Sequence, residues 1–183
     1  MPFVYSASAA FLSEFGLIAI SLQRYFWSGA ISFLIVYLFV WEPVIIYAKG
    51  QKLLEIIFSF FKPLVRVAPY LLPVYTIVLF TAYLIISLIT KSPQLLQYTL
   101  FLAGFTMALH LVFSAKSLRS KQGDYLKGNY IFGFSFVYIL DLFIASLFLN
   151  FIFDKFSFVN FANNSFNTAA DIFAAIFRQL FVI

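Results

Sequence analysis

The sequence predicts an all-α, polytopic transmembrane helical bundle, and three observations lead there. Of 183 residues, 63% are hydrophobic and 10% charged, against roughly 45–50% and about 25% in soluble domains. Four apolar runs, residues 27–47, 68–90, 95–114 and 130–153, are close to the roughly 20 residues that cross about 30 Å of hydrocarbon. The runs lack the alternation of a β-barrel strand, so their backbone groups must be satisfied inside helices. The connections are too short for an extramembrane core, and the chain reads as a single membrane domain over 1–183.

Residues 1–23 are apolar but broken by Ser6, Ser8, Ser13 and Glu14. An interfacial helix is expected there, with a fifth span as the alternative. The stretch lacks the basic start of a cleavable signal, so the N-terminus is expected to be retained.

After the first run, Trp41-Glu42-Pro43 marks a kink or an end, because proline lacks an N–H and disfavours helix at the residue before it. Residues 51–66 repeat Lys52, Glu55, Ser59, Lys62 and Arg66 at helical spacing opposite Leu53, Leu54, Ile57, Phe58 and Phe61. They predict an amphipathic helix on the cytoplasmic membrane surface. The second run is bent or begun by Pro69 and Pro73 and carries a polar stripe of Thr76, Tyr83, Ser87 and Thr90. The third carries Ala103, Thr106, His110, Ser114 and Ser117 along one face, with Gly104 and Ala108 as a small-xxx-small pair. The fourth places Asp141 near its middle with Gly133, Val137 and Ala145 on the same face, narrow enough for close helix approach. In the tail, Thr168-Ala-Ala-Asp171 resembles a capping box and opens a predicted interfacial helix over 168–183, with an apolar face of Ile172, Phe173, Ile176, Phe177 and Leu180.

Basic residues fix the predicted orientation. Lys49, Lys52, Lys62 and Arg66 fall in loop 48–67, and Lys116, Arg119, Lys121 and Lys127 in loop 115–129, whereas the second connection has only Lys91. Both basic loops are therefore expected to be cytoplasmic in a bacterial-type plasma (inner) membrane. Lys52, Lys62, Arg66, Lys116, Arg119 and Lys121 are expected to meet lipid headgroups. The formal charge of +5 is accounted for by these loop ends, and no nucleic-acid module accompanies it.

Three ionisable residues, Glu42, His110 and Asp141, fall within the predicted spans, where a charge costs about 2.5–3.5 kcal/mol on insertion scales. They are the candidate polar site. Asp141 and His110 are expected to hold helices together, by a hydrogen bond to each other between the third and fourth spans or to neighbouring hydroxyls; the alternatives are contact with another subunit, or a pair forming a proton- or cation-responsive site. Glu42, beside Trp41, reads first as an interfacial anchor.

Catalytic chemistry needs a nucleophile with its base, a metal-ligand set or a phosphate-binding glycine loop. None is visible. With no cysteine and one histidine, neither a thiolate metal site nor a haem held by two histidines of this chain can be built, and no cofactor is expected. Asn163-Asn164-Ser165 is formally a glycosylation sequon. Phe is the commonest residue at 27, giving broad contact area toward lipid, pigment or neighbouring subunits. Together these features imply a non-catalytic integral membrane subunit of a larger assembly. The alternative is a small oligomeric transporter or channel using Asp141 and His110.

Overall fold

The computed structural model describes residues 2–60, 68, 70–90, 92–120 and 130–181, with the side chain of Ser120 outside that set. Among the described residues there are seven α-helices: α1 Pro2–Phe15, α2 Ile20–Ile35, α3 Val44–Ile57, α4 Val74–Ser87, α5 Pro93–Ser120, α6 Tyr130–Ile152 and α7 Phe158–Leu180. Three helical stretches are long and apolar enough to cross a membrane: Ile20–Val40, Pro93–Arg119 and Tyr130–Ile152. The chain forms two compact units, one from Ile20 to Asp141 and the other joining Met1–Ala19 to Leu142–Ile183.

In the larger unit, α2 continues through a π-turn, Val36–Val40, closed by the Trp41 N–H donating to the Val36 carbonyl at 2.9 Å. Trp41 is then extended, and Pro43 opens α3. The first long helix thus covers residues 20–40, where the sequence predicted 27–47. Hydropathy does not register the break at Pro43, because the residues after it are also apolar. Nor does it register the start, because Gln23 and Arg24 dilute the first turns although the backbone is already helical.

α2 and α5 cross at two glycines. A Cβ on Gly29 would lie 1.8 Å from the Phe101 carbonyl oxygen, and one on Gly104 would lie 2.0 Å from that of Phe26. Neither helix can carry a side chain there at this spacing. Above the crossing, Phe33, Tyr47, Leu109 and Phe113 form a buried cluster flanked by Tyr37, Tyr75, Phe105, Ala108 and Val112. Phe33 meets Phe105 edge-on at 5.3 Å and Tyr47 stacks on Phe113 at 5.2 Å. The aromatic bias of the sequence is spent here as spacers that key one helix into the next.

α3 buries Tyr47, Gly50 and Leu54, while Lys52, Leu53, Glu55 and Ile57 are exposed. It is not the amphipathic helix expected over 51–66. It begins seven residues earlier, because Pro43 supplies a start, and its inner edge is set by Gly50, which admits the Val74 and Tyr75 side chains of α4. Residues 58–60 turn out of α3, and residues 61–66 of the predicted helix, with Lys62 and Arg66, lie outside the described residues, as does Lys121.

α4 has 14 residues, shorter than the run predicted over 68–90, since Pro73 fixes its first turn. It runs antiparallel to α5: Thr76 and Thr106 share a hydrogen bond of 2.9 Å, and further along the Ser114 hydroxyl donates to the Tyr70 carbonyl at 3.1 Å. α5 extends the predicted 95–114 to 93–120, and α6 agrees with the predicted 130–153 to within one residue. Along α6, Gly133, Val137, Asp141, Ala145 and Leu149 are buried at intervals of four, as the small-residue face required.

In the smaller unit, α1 and α7 pack antiparallel, with Phe3 against Phe173 at one end and Phe11 against Phe156 and Phe161 toward the other. α1 takes up only residues 2–15 of the segment 1–23, and residues 20–23 belong to α2. With 14 residues, about 21 Å at 1.5 Å each, α1 is short for a span. α7 starts at Phe158, ten residues ahead of the predicted cap. Ser157 Oγ accepts from the Asn160 N–H at 3.2 Å, Glu14 accepts from the Ser157 N–H at 3.1 Å, and Asn150 Oδ1 accepts from the Phe158 N–H at 3.0 Å. These acceptors satisfy helix donors that would otherwise be orphaned. Thr168-Ala-Ala-Asp171 is therefore mid-helix and caps nothing. The Asn163 sequon is also helical, its Ser165 buried and bonded to the Phe161 carbonyl. Replacing Ser157 with alanine should cost about 1 kcal/mol, read as earlier loss of helicity and faster proteolysis near residue 158.

Candidate functional site

Four polar side chains from three helices of the larger unit form one hydrogen-bonded chain. α6 brings Asp141, 1% exposed, to His110 of α5, 4% exposed. His110 Nδ1 and Asp141 Oδ2 are 2.9 Å apart. The other ring nitrogen, Nε2, is 3.1 Å from Ser114 Oγ, one turn along α5. Ser114 Oγ is in turn 3.1 Å from the Tyr47 hydroxyl of α3. The spacing of 110 and 114 stacks the two side chains on one face of α5. Tyr47 reaches them because the break at residues 41–43 lets α3 lean its Tyr47–Gly50–Leu54 edge inward. The sequence pairing of His110 with Asp141 is what the structure brings together; Tyr47 was read as the tail of the first span and missed.

Two buried polar atoms near this chain have no hydrogen-bond partner among the described residues: Asp141 Oδ1 and Gln51 Nε2. A recess of about 10 Å³ lies between Tyr47, Gln51, Tyr75, Thr106 and His110, room for about one water. The site therefore holds hydrogen-bonding capacity beyond what its own side chains consume, within a wall otherwise made by Leu72, Pro73, Val74 and Leu109.

Glu42 does not join this site. Its carboxylate accepts from Lys116 Nζ at 2.8 and 3.0 Å in an exposed pair. Lys116, expected at headgroups, is thus engaged with the connection between α2 and α3. Exposed pairs of this kind contribute little to stability. Gly104 does make the close helix approach, but with Phe26 and Ala30 of α2, while Ala108 borders the aromatic cluster. Gly133 and Ala145 are buried with Asp141 on α6. Lys52 and Arg119 are exposed. Glu14, read from sequence only as an interruption, is buried and serves the start of α7; its partner lies 143 positions away, and no local pattern signals it.

Among the described residues, no group of three or more His, Asp or Glu side chains is placed to hold a metal ion. Chemically, the chain Tyr47–Ser114–His110–Asp141 offers hydrogen bonds and a proton position. Comparison with protein-family models, curated proteins and solved structures finds no match.

Proposed function

We propose that this chain is a non-catalytic integral membrane subunit that anchors or stabilises a larger membrane assembly. The observation that carries this reading is the division of its surface chemistry. Deep polar groups bond to one another between helices, while the outward faces of the long helices present large apolar side chains such as Ile31, Leu38, Phe39, Tyr98, Phe132 and Phe136. Surfaces of that kind suit lipid tails and neighbouring apolar helices.

In this reading the chain crosses the bilayer four times, with loops 48–67 and 115–129 cytoplasmic. The antiparallel run of residues 70–87 along α5 supports the fourth crossing. Tyr70 lies beside Ser114 and a five-residue connection, 88–92, joins α4 to α5. From 93 to 114, α5 rises about 32 Å at 1.5 Å per residue, comparable to about 30 Å of hydrocarbon. A segment lying along that length crosses the same thickness. Extraction in mild detergent followed by native mass spectrometry tests the assembly role. Co-migration with other membrane polypeptides is expected, and a lone monomer would contradict it.

A second reading is favoured by a specific observation, the unpartnered Asp141 Oδ1 beside a histidine whose two nitrogens are both engaged. A buried carboxylate short of one partner is costly to keep, which points to a proton-responsive site in a small oligomeric transporter or channel. In proteoliposomes, Asp141→Asn should abolish pH-dependent flux and leave assembly intact; unaltered flux would remove Asp141 from the path.

A further inference from the structure

Ser114 stands at a branch. Its Oγ lies 3.1 Å from His110 Nε2, 3.1 Å from the Tyr70 carbonyl oxygen and 3.1 Å from the Tyr47 hydroxyl. A serine hydroxyl owns one hydrogen and two lone pairs. It can donate to Nε2 or to the Tyr70 carbonyl, and it cannot do both.

Which partner receives that hydrogen follows from the proton count of the pair beside it. When His110 and Asp141 share one proton, it sits on Nδ1 facing an ionised carboxylate, and Nε2 is a bare acceptor. Ser114 then donates to Nε2, and the Tyr70 carbonyl loses this donor. A proton taken on Asp141 Oδ1 leaves Nε2 bare and the Ser114 hydroxyl in place, whereas a second proton held between the two residues gives either imidazolium with carboxylate or neutral imidazole with carboxylic acid donating from Oδ2 to Nδ1. Both of these last forms carry a hydrogen on Nε2, which donates to Ser114 Oγ. The serine hydrogen must then turn to the Tyr70 carbonyl. The Tyr47 hydroxyl can donate to Ser114 Oγ in either state.

We infer that the His110–Asp141 pair stores a single exchangeable proton whose arrival swings the Ser114 hydroxyl from His110 to the Tyr70 carbonyl. The segment leading into α4 thereby reads the state of the store. This inference rests on the second reading above and adds to it the route by which the proton is sensed. The groups facing the pair are Tyr47 from α3 and Tyr75 from α4, which shares the recess with His110. Tyr138 lies one turn before Asp141 on α6, and Lys116, farther along α5, is paired with Glu42. The tyrosines supply neutral hydroxyls and the Glu42–Lys116 pair is net neutral, so the exchangeable proton is assigned to His110 and Asp141.

A chain with one histidine makes the test unambiguous, because 15N-histidine labels one ring. The full chain in lipid vesicles is titrated by solid-state NMR, with the Tyr70 carbonyl followed through 13C-Tyr/15N-Leu pairs. Four Tyr-Leu pairs occur in the sequence, and Tyr70→Phe assigns the wanted signal by removing it. His110 Nε2 should change from bare to protonated as pH falls, with the Tyr70 carbonyl shifting at the same midpoint. Ser114→Ala should keep the histidine titration and lose the carbonyl response. A titrating His110 with an unresponsive Tyr70 carbonyl in the unsubstituted chain overturns the switch and leaves the proton site standing. An Nε2 that holds one state while the 13C-labelled Asp141 carboxyl shifts overturns the switch alone, and an Nε2 and an Asp141 carboxyl that both hold one state across the range in which histidine and aspartate exchange protons overturn both.

Discussion

Replacing Gly104 with alanine destabilises the fold, although helix propensity alone argues the reverse. In a helix interior alanine is favoured over glycine by about 1 kcal/mol. Here its Cβ would stand 2.0 Å from the Phe26 carbonyl oxygen and 2.9 Å from the carbonyl carbon. Both are backbone atoms of the facing helix, so no side chain can swing aside. The helices must part, and the cluster of Phe33, Leu109 and Phe113 above the crossing loses contact. Overpacking of this kind costs roughly 1–3 kcal/mol, occasionally more; Gly104→Ala is expected near 2 and Gly104→Leu at roughly 3 or above. Gly29→Ala should behave alike, since Phe101 stands at 1.8 Å. Leu102→Ala, on the exposed side of α5, should stay within about 0.5 kcal/mol. Reversible unfolding in mixed detergent micelles reads all four. A stabilising Gly104→Ala would mean that the crossing is looser than the geometry shows.

The second large effect is expected at the buried pair, and its form matters more than its size. His110→Leu strands the Asp141 carboxylate with neither oxygen bonded, and Asp141→Leu strands His110 Nδ1. Breaking one side of a buried pair costs roughly 3–5 kcal/mol in soluble proteins, while hydrogen bonds between membrane helices average nearer 0.6 and reach about 1.7 kcal/mol. About 2 kcal/mol for each single change is the expectation. The double change, His110→Leu with Asp141→Leu, leaves neither group orphaned and should be milder than the two losses added together. Simple additivity would show that the two side chains do not depend on each other.

Much of this arrangement is legible in the sequence because a membrane removes alternatives. Apolar runs with few charges leave little choice but helix, and α6 is found within one residue of its expected limits. The buried face of α6 was visible in the spacing of Gly133, Val137, Asp141 and Ala145. His110 and Asp141 stand out as ionisable groups in apolar surroundings, so their pairing was among the contacts the sequence offered, and the 2.9 Å bond selects it over a neighbouring hydroxyl for Asp141. Less legible is what depends on a second helix. Gly104 was visible as a small residue, yet the sequence offered Ala108 as its companion, because a pattern on one helix cannot name Phe26 and Ala30 on another. The start of the first long helix was displaced by seven residues, since hydropathy penalises Gln23 and Arg24 while the backbone is indifferent to them. The same displacement hid Tyr47, which passed for the tail of a span although Pro43 begins a new helix there. In the tail, Thr168 and Asp171 had the residue types of a cap, but Ser157, Glu14 and Asn150 had already started the helix ten residues earlier. Local pattern cannot weigh a donor satisfied by a carboxylate 143 positions away.

The account depends on hydrocarbon surrounding these helices and on residues 70–87 crossing it beside α5. Because the chain has no cysteine, single substitutions Lys52→Cys, Lys91→Cys and Lys121→Cys can each be probed with a membrane-impermeant maleimide on intact cells and again after lysis. Lys91→Cys is expected to label from outside, and the other two only after lysis. Labelling of positions 52 and 121 from opposite sides, or of 91 from the same side as 52, would contradict the four-crossing arrangement.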